Sequence, residues 1–267
     1  MKKSKLIILS ILSILSFASC EKVIDLKLDN TDPRLVISGA ISDADSIPII
    51  KITQTIDYNE PNNFPEIQDA TVVVRDNFGG ADTFQARSRQ GYRGVTLGVP
   101  GRTYSLAVFH DGKEYNSSVK MPIPIAIDSV NIEAITGFGG EELPLLTTYF
   151  KDPKGEKNYY YLNYLINGEN SGDFSFLSDD LRDGEEIQVG TISDDYEGVE
   201  IGDTLTVQLQ CIDASMYEYY RTLEALESGG GGGLGSTTPD NPVSNITGGA
   251  LGYFKVFSQT EKDFIIQ

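Results

Sequence analysis

Cys20 is the residue whose position points to the most specific chemistry. Three lysines in the first five residues precede an apolar run over 6–17, and the small residues Ala18 and Ser19 lead directly to the cysteine. At about 1.5 Å per residue, this run covers roughly half to two-thirds of the hydrocarbon thickness of a bilayer, which is typical of a secretory signal. A general signal-peptidase site would also explain the two small residues, but a cysteine directly after them favours lipidation. We therefore expect residues 1–19 to be a signal peptide and Cys20 to carry the lipid that holds the protein to a membrane.

Other motifs for catalysis or cofactor binding are missing from the sequence. His110 is the single histidine and stands directly before Asp111-Gly112, so we expect it to flank a hairpin, and a His-rich zinc site is excluded. Cys211 ends an apolar run and is expected to be a buried structural thiol. The glycines at 229–233 lack the Lys-Ser/Thr of a phosphate-binding loop. We predict no catalytic residue, no metal site and no cofactor.

Acidic residues cluster at 179–180, 183–186 and 194–195. Oxygen ligands suit Ca²⁺, but in a comparison with the EF-hand loop Leu181 and Gly190 occupy positions that require a ligand. We interpret these acids as solvated loop residues and keep calcium as a minor alternative. A pair of carboxylates for glycoside hydrolysis depends on a spacing that the sequence leaves open.

Tyrosines are dense at 159–161 with Tyr164, and again within 217–220. Alternation along a strand would place Tyr160 on one face of a sheet and its two neighbours on the other. We expect these rings to pack in the core and at its rim, and the functional alternative is an exposed aromatic contact surface.

The charge of the chain limits its partners. The sequence holds 21 basic and 39 acidic residues, a formal net charge of −18, and loss of the signal would leave 18 basic residues and a charge of −21. Such a field repels phosphate backbones and anionic headgroups. We exclude nucleic acid as a partner and expect membrane contact through the lipid alone.

The first half of the chain has the pattern of a β-sandwich. A polar tether over 20–33 is followed by seven short apolar runs with turn signals between them, which predicts a β-sandwich domain over 34–122. The predicted strands are 35–41, 49–56, 71–75, 82–86, 92–97, 104–109 and 114–119. Asp111-Gly112 predicts a type I′ hairpin between the last two.

Alternating prolines at 121–124 predict a domain boundary, and the rest of the chain, 123–267, is expected to be a second β-rich domain with one helix. Its predicted strands are 129–132, 145–150, 159–166, 174–177, 187–192, 204–212 and, as the last one, 248–257, after which residues 264–266 close the chain. Ser215 and Glu218 form a capping-box pair, and apolar residues at helical spacing predict a helix over 216–227. A flexible glycine loop over 229–236 is expected to follow.

Six segments together carry a resemblance to a known family. They are Cys20-Glu21, Leu35–Gly39, Gly101–Leu106 before Gly112–Tyr115, Phe150–Pro153 before Asn158–Tyr160, Tyr217–Tyr220, and Asn241–Ile246 running into Gly248–Phe254. In these segments the chain resembles the Bacteroidota lipoprotein family filed as domain of unknown function 4249. The resemblance covers essentially the whole mature chain, and its carboxy-terminal motif is the most specific part.

The resemblance implies an outer-membrane lipoprotein without established activity, often encoded near TonB-dependent receptors, whose first domain is immunoglobulin-like or prealbumin-like. We expect a non-enzymatic accessory or binding partner of such a receptor. A structural or adhesive envelope module is the alternative, and a carboxylate-pair glycoside hydrolase is a remote one. The ligand, the membrane leaflet and the oligomeric state stay open.

Three Asp-Ser/Thr-apolar triplets resemble the O-glycosylation sequon of that phylum. They lie at 45–47, 128–130 and 203–205, and they are equally ordinary starts of strands.

Overall fold

A computed structural model describes residues 32–44, 46–57, 60–136, 140, 142–192, 202–228 and 241–266. The signal peptide, Cys20, the tether up to residue 31, the acids at 194–195 and the glycine loop at 229–236 lie outside these residues. Within them, no helix is both long enough and apolar enough to cross a membrane.

The described chain is mainly β, as the alternating apolar pattern predicts, and its single helix lies in the later part. In chain order the strands are β1 (Leu35–Ser42), β2 (Ile49–Gln54), β3 (Thr71–Asp76), β4 (Ala81–Arg87), β5 (Gly91–Arg93), β6 (Thr103–His110), β7 (Lys113–Lys120), β8 (Ile127–Thr136), β9 (Glu142–Lys151), β10 (Tyr159–Ile166), β11 (Glu169–Ser178), β12 (Glu186–Ile192), β13 (Thr204–Ile212) and β14 (Leu251–Ile265). The helix α1 (Ala214–Glu227) follows β13.

Eleven of these strands form one sheet in the order β11-β10-β13-β14-β1-β2-β5-β4-β3-β6-β7, and a second sheet has the order β12-β9-β8. Neighbouring strands are antiparallel except β1 and β14, which are parallel. The first part of β14 pairs with β1 and its second part pairs with β13. This long strand therefore joins the segments 34–122 and 123–267 into one sheet, and the predicted boundary between them lies between β7 and β8.

Each segment has its own hydrophobic core. The first core is formed by the inward residues of β1 to β7, together with Ile246 and Phe254 from the end of the chain. The second core lies between β10 and β13 of the large sheet and β9 and β12 of the small one, where Tyr160 and Phe150 meet with ring centroids 4.8 Å apart. The second segment is thus a sandwich of two sheets, and α1 covers the outer face of the large sheet.

The parallel contact between β1 and β14 depends on Gly252. Its φ is +93°, and a Cβ atom there would lie 2.1 Å from the carbonyl oxygen of Ile37 on β1. Positive φ is accessible to glycine at no steric cost, and the absent side chain lets the two backbones approach. The glycine is therefore a requirement of the pairing that closes the large sheet.

Two local predictions are wrong. The strand expected over 92–97 ends at Arg93, because the Asp82 carboxylate accepts hydrogen bonds from the backbone N–H groups of Val95 and Thr96, at 2.7 and 2.9 Å, and turns them away from the sheet. The last strand, expected over 248–257, instead runs from Leu251 to Ile265 as β14, because its second part pairs with β13.

The capping box at the start of the helix is also wrong, although the helix itself is confirmed. Asp213 is the N-cap, and its carboxylate accepts from the N–H groups of Ser215 at 3.0 Å and Met216 at 3.3 Å. Glu218 instead forms an ion pair with Arg221 one turn later, at 2.6 Å. By contrast the hairpin prediction is confirmed, because both residues of Asp111-Gly112 have positive φ between β6 and β7.

Candidate functional site

An open groove of about 1170 Å³ lies where three distant parts of the chain meet. One side is the segment that connects β7 to β8, the second is the turn between β9 and β10, and the third is the junction of β13 and α1. Its volume exceeds the roughly 300–1,000 Å³ that is usual for small-molecule sites. The groove is therefore large enough to hold a small molecule or part of a larger ligand.

The first wall of the groove is a rigid extended segment. At one end Met121 exchanges backbone hydrogen bonds with Gly101 and Arg102, at 2.9 and 2.8 Å. At the other end the carbonyl of Ile125 accepts from the Thr260 hydroxyl at 2.6 Å. Prolines at 122 and 124 fix φ and supply no N–H group. The side chain between them, Ile123, is 62 % exposed.

Four lysines line the groove, which is half of the eight lysines in the described part of the chain. They are Lys120, Lys151, Lys154 and Lys157, and all four are exposed. Lys157 is paired with Asp180, with Nζ and Oδ1 2.8 Å apart. Three acids, Asp152, Glu156 and Asp213, line the same groove, so its lining combines four lysines with three carboxylates.

Three acids come together beside the groove, and two of them are buried. Asp152 and Asp179 are each 2 % exposed, Asp183 is exposed, and one carboxylate oxygen from each lies within 4.8 Å of the other two. Asp152 accepts from the Tyr160 hydroxyl and from the backbone N–H of Gly184. The first bond ties the loop after β9 to β10, and the second ties it to the loop before β12.

The other two acids tie the same loops together. Asp179 accepts from the N–H of Asn158 at 2.9 Å, and Asp183 accepts from the N–H of Gly155 at 2.6 Å. An oxygen-only cluster of this kind is chemically able to hold Ca²⁺ or Mg²⁺. The interpretation of the acids as solvated loop residues fits Asp183 and is wrong for Asp179, and no pattern in the sequence pointed to Asp152.

The clustered tyrosines separate onto the two faces of β10 as alternation predicts. Tyr160 is fully buried in the second core. On the opposite face Tyr161 stacks on Tyr220 of α1, with ring centroids 4.8 Å apart. Tyr159 also faces the helix, and its ring lies 5.1 Å from that of Tyr217. Packing is therefore confirmed as the main role of these rings.

Lys255 is buried in this aromatic layer, and no sequence signal identified it. It lies on β14 and is 7 % exposed, with Nζ 4.6 Å from the ring centre of Tyr161 and 4.5 Å from that of Phe257. Nζ donates to Gln210 Oε1 at 2.5 Å and to the Tyr220 hydroxyl at 3.0 Å. Among the described residues no carboxylate pairs with it, and burial lowers its pKa to about 7.

Comparison with known proteins identifies the family. A family model described as "Domain of unknown function (DUF4249)" matches residues 21–263 of the 267. The chain belongs to the DUF4249 family. A search of curated proteins finds no match. Among solved structures, a chain of a "Cytokine receptor complex - Crystal form 2" aligns with 9 % identity and a TM-score of 0.24, over 66 % of this chain and 89 % of that one. Neither value is high enough to support an inference.

The remaining candidate residues of this DUF4249 chain have structural roles. Cys211 is buried, and desolvation raises the pKa of its thiol to about 11, so the predicted structural thiol is confirmed. His110 ends β6 beside the hairpin as predicted, with Nδ1 3.3 Å from Asp69 and Nε2 3.4 Å from Asp111.

The three glycosylation-like triplets of the DUF4249 chain differ in accessibility. Ser46 and Ser129 are exposed, whereas Thr204 is partly covered at the start of β13. Ser129 and Thr204 belong to strands, so both alternatives stated for these triplets stay open.

Proposed function

We propose that this protein is an exported, lipid-anchored outer-membrane lipoprotein of the Bacteroidota type, which works without catalysis as a binding partner of a TonB-dependent receptor system. The placement of Cys20 directly after Ala18 and Ser19 supports the anchor. Membership of the DUF4249 family agrees with the resemblance on which the receptor association rests.

The observation that carries the binding role is the open groove, which is lined by apolar side chains, four lysines and three acids. Two of these acids are already committed to internal hydrogen bonds, because Asp152 accepts from Tyr160 and Gly184, and Asp213 caps α1; the third is Glu156. A pair of facing, available carboxylates is what glycoside hydrolysis requires. The groove is therefore better suited to holding a ligand than to cleaving one.

Co-purification tests the proposal. Native protein is extracted from membranes in mild detergent, and the proteins that accompany it are identified by mass spectrometry. We expect a β-barrel receptor to accompany the wild type. The Cys20→Ala variant should lose membrane attachment or fail to mature, since anchoring by acyl chains adds about 0.8 kcal/mol per buried methylene.

Two results would count against the proposal. If the Cys20→Ala variant stays on the membrane as the wild type does, lipid on Cys20 is not what attaches the protein. Isolation of the wild type without any receptor, together with a deletion strain that attaches poorly but takes up nutrients normally, would favour the adhesive envelope module instead.

A further inference from the structure

Four neighbouring strands of the large sheet carry positive charge on their outer side. β2, β5, β4 and β3 are adjacent in the sheet, and successive side chains of a strand point to opposite sides. In these four strands, the residues that point away from the first core include no acid and four cations, which are Lys51, Arg75, Arg87 and Arg93. None of the four forms an ion pair among the described residues. This outer side is called the basic face below, and it stands out in a chain with a net charge of −18.

Three of the cations surround a glycine on the basic face. Arg87 pairs with Gly91 across one strand contact, and Lys51 lies on the other side, with Cγ 3.1 Å from where a Cβ atom of Gly91 would be. Arg93 follows two residues later on the same strand and points the same way. Strand spacing and rise place the three positions within roughly 10 Å of one another. A triangle of this kind suits phosphate groups, because guanidinium groups bind their oxygens in pairs.

One acid lies at the edge of the basic face. Glu66 pairs with Thr53 near the end of β2. Its carboxylate accepts from the backbone N–H of Arg89 at 3.1 Å and from the side-chain amide of Gln68 at 3.0 Å. It forms no ion pair with a cation of the basic face. The surface therefore keeps an excess of positive charge.

Exposed aliphatic side chains border the other end of the basic face. Ile47 precedes β2, Val95 and Leu97 follow β5, and Val95 is 88 % exposed. Together with Arg87 and Arg93 they line an open pocket of about 530 Å³, whose described lining includes no acid. Cations beside exposed aliphatic groups are the composition of a surface that rests on a bilayer, where the charges meet anionic headgroups and the aliphatic groups enter the interface.

The tether joins the folded part beside the basic face. The backbone carbonyl of Arg34 accepts from the N–H of Thr55, which directly follows β2. Lys51 lies four residues before Thr55, roughly 13 Å along the strand. A lipid on Cys20 would therefore draw this side of the protein, rather than the opposite one, toward the membrane.

We infer that the basic face docks on a bilayer surface that presents anionic phosphate headgroups, as a second contact beside the lipid on Cys20. The inference rests on the proposed function, since the anchor keeps the face near the membrane. The net charge of the chain argued against such a contact. Screening acts over about 8 Å at physiological ionic strength, so acids on the other sides of the protein contribute little where the face touches. An acidic protein would meet the same cations, but the place where the tether joins favours the membrane.

The test uses the full lipidated chain in vesicles of phosphatidylcholine with or without phosphatidylglycerol. A fluorophore is attached through Val95→Cys, since Cys211 is buried and Cys20 is acylated, and quenching by brominated lipid reports its contact with the bilayer. The matched site is Ile132→Cys, an exposed aliphatic position on β8. On anionic vesicles the label at position 95 should be quenched at least about threefold more than the label at 132, and high salt should remove the difference.

Neutralising the cations tests the origin of the contact. Lys51→Gln/Arg87→Gln/Arg93→Gln should lower the ratio of docked to undocked protein at least about tenfold, because each cation at an anionic surface raises binding roughly fivefold. The control Lys113→Gln/Lys151→Gln/Lys154→Gln removes the same charge from exposed lysines elsewhere and should stay within about twofold. Urea unfolding checks that both variants are folded.

Four results would decide against parts of this picture. A label at position 95 that stays unquenched while the protein floats with anionic vesicles would overturn the inference and leave the anchor standing. Equal losses in the two triple variants would overturn it as well, because only the overall charge would matter. Flotation with anionic vesicles but not with phosphatidylcholine vesicles would support the basic face and refute the lipid anchor. Stronger shielding of the label by the co-purified receptor than by anionic vesicles would assign the face to a protein and overturn the inference.

Discussion

Replacing Lys255 by methionine should remove a dependence of stability on pH that the wild type shows above neutrality. The folded-state pKa of this lysine is about 7, and its ordinary value is 10.5. Between these values the unfolded chain binds a proton that the folded chain does not, so the free energy of unfolding rises with pH. Below the folded pKa both states are protonated, and the dependence disappears.

The magnitude follows from the two pKa values. Because the unfolded and folded states differ by up to one bound proton, the free energy of unfolding should rise by about 2 kcal/mol between pH 7 and pH 9. Between pH 6 and pH 7 it should rise by less than about 0.5 kcal/mol. The rings of Tyr161 and Phe257 near Nζ attract the ammonium and oppose a further fall of the pKa. Cys211 and Tyr220, whose pKa values are raised by burial, oppose this rise near and above the pKa values of the unfolded thiol and phenol, and their contribution cancels when the variant is subtracted from the wild type.

Urea unfolding at several pH values between 6 and 9 provides the assay, and the quantity of interest is wild type minus Lys255→Met. Methionine keeps most of the aliphatic volume, so the variant should fold. Lys113→Met, at an exposed strand position, is the control and should follow the wild type at every pH. A wild-type-minus-variant difference that stays flat between pH 7 and pH 9 would refute the reasoning, because it would mean that the buried amine titrates as it does in the unfolded chain.

Three further substitutions test the local arguments. Gly252→Ala should lower the free energy of unfolding by roughly 2–4 kcal/mol. The control is Gly249→Ala, which has a similar positive φ of +87° but open space around it and should cost only about 1 kcal/mol. Equal losses in urea unfolding would show that the close backbone contact of Gly252 is not the cause. Asp213→Ala should lower the free energy of unfolding by about 1 kcal/mol and Glu218→Ala by less than about 0.5 kcal/mol, as measured by urea unfolding. A larger loss for Glu218→Ala would mean that Glu218 caps the helix after all, as the capping-box prediction required. Tyr160→Phe should cost roughly 1–3 kcal/mol, because it leaves Oδ1 of the buried Asp152 without its donor while Oδ2 keeps the Gly184 N–H, and a neutral result in thermal or urea unfolding would contradict that hydrogen bond.

Periodicity identified most of the elements because their residues alternate between core and solvent. β10 is an example, with Tyr160 and Leu162 buried and their neighbours partly covered, and the helical spacing after residue 215 predicted α1 in the same way. The errors occurred where a side chain competes with the backbone pattern. Asp82 removes two N–H groups from an apparent strand, and Asp213 takes over the cap from Ser215.

The candidate site was much less accessible to prediction, because its parts are distant in sequence. Lys120 and Lys151 belong to different sheets, and nothing in either local sequence indicates that they line one groove. The same holds for Asp152, which meets Asp179 only after two loops fold together. Lys255 alternates with apolar neighbours on a strand, where a lysine is normally expected to face water, and only the position of α1 buries it.

The rigidity of the groove determines how it should bind. Its apolar wall is held by the Met121 bonds and by two prolines, and the facing turn is held by Asp152 and Asp183, so little conformational entropy remains to be lost when a ligand arrives. Its lysines are exposed, and pairs formed there contribute only about 0–1 kcal/mol each. A preformed groove with weak individual charge contacts favours ready release of what it binds. This suits a partner that must be exchanged repeatedly rather than retained.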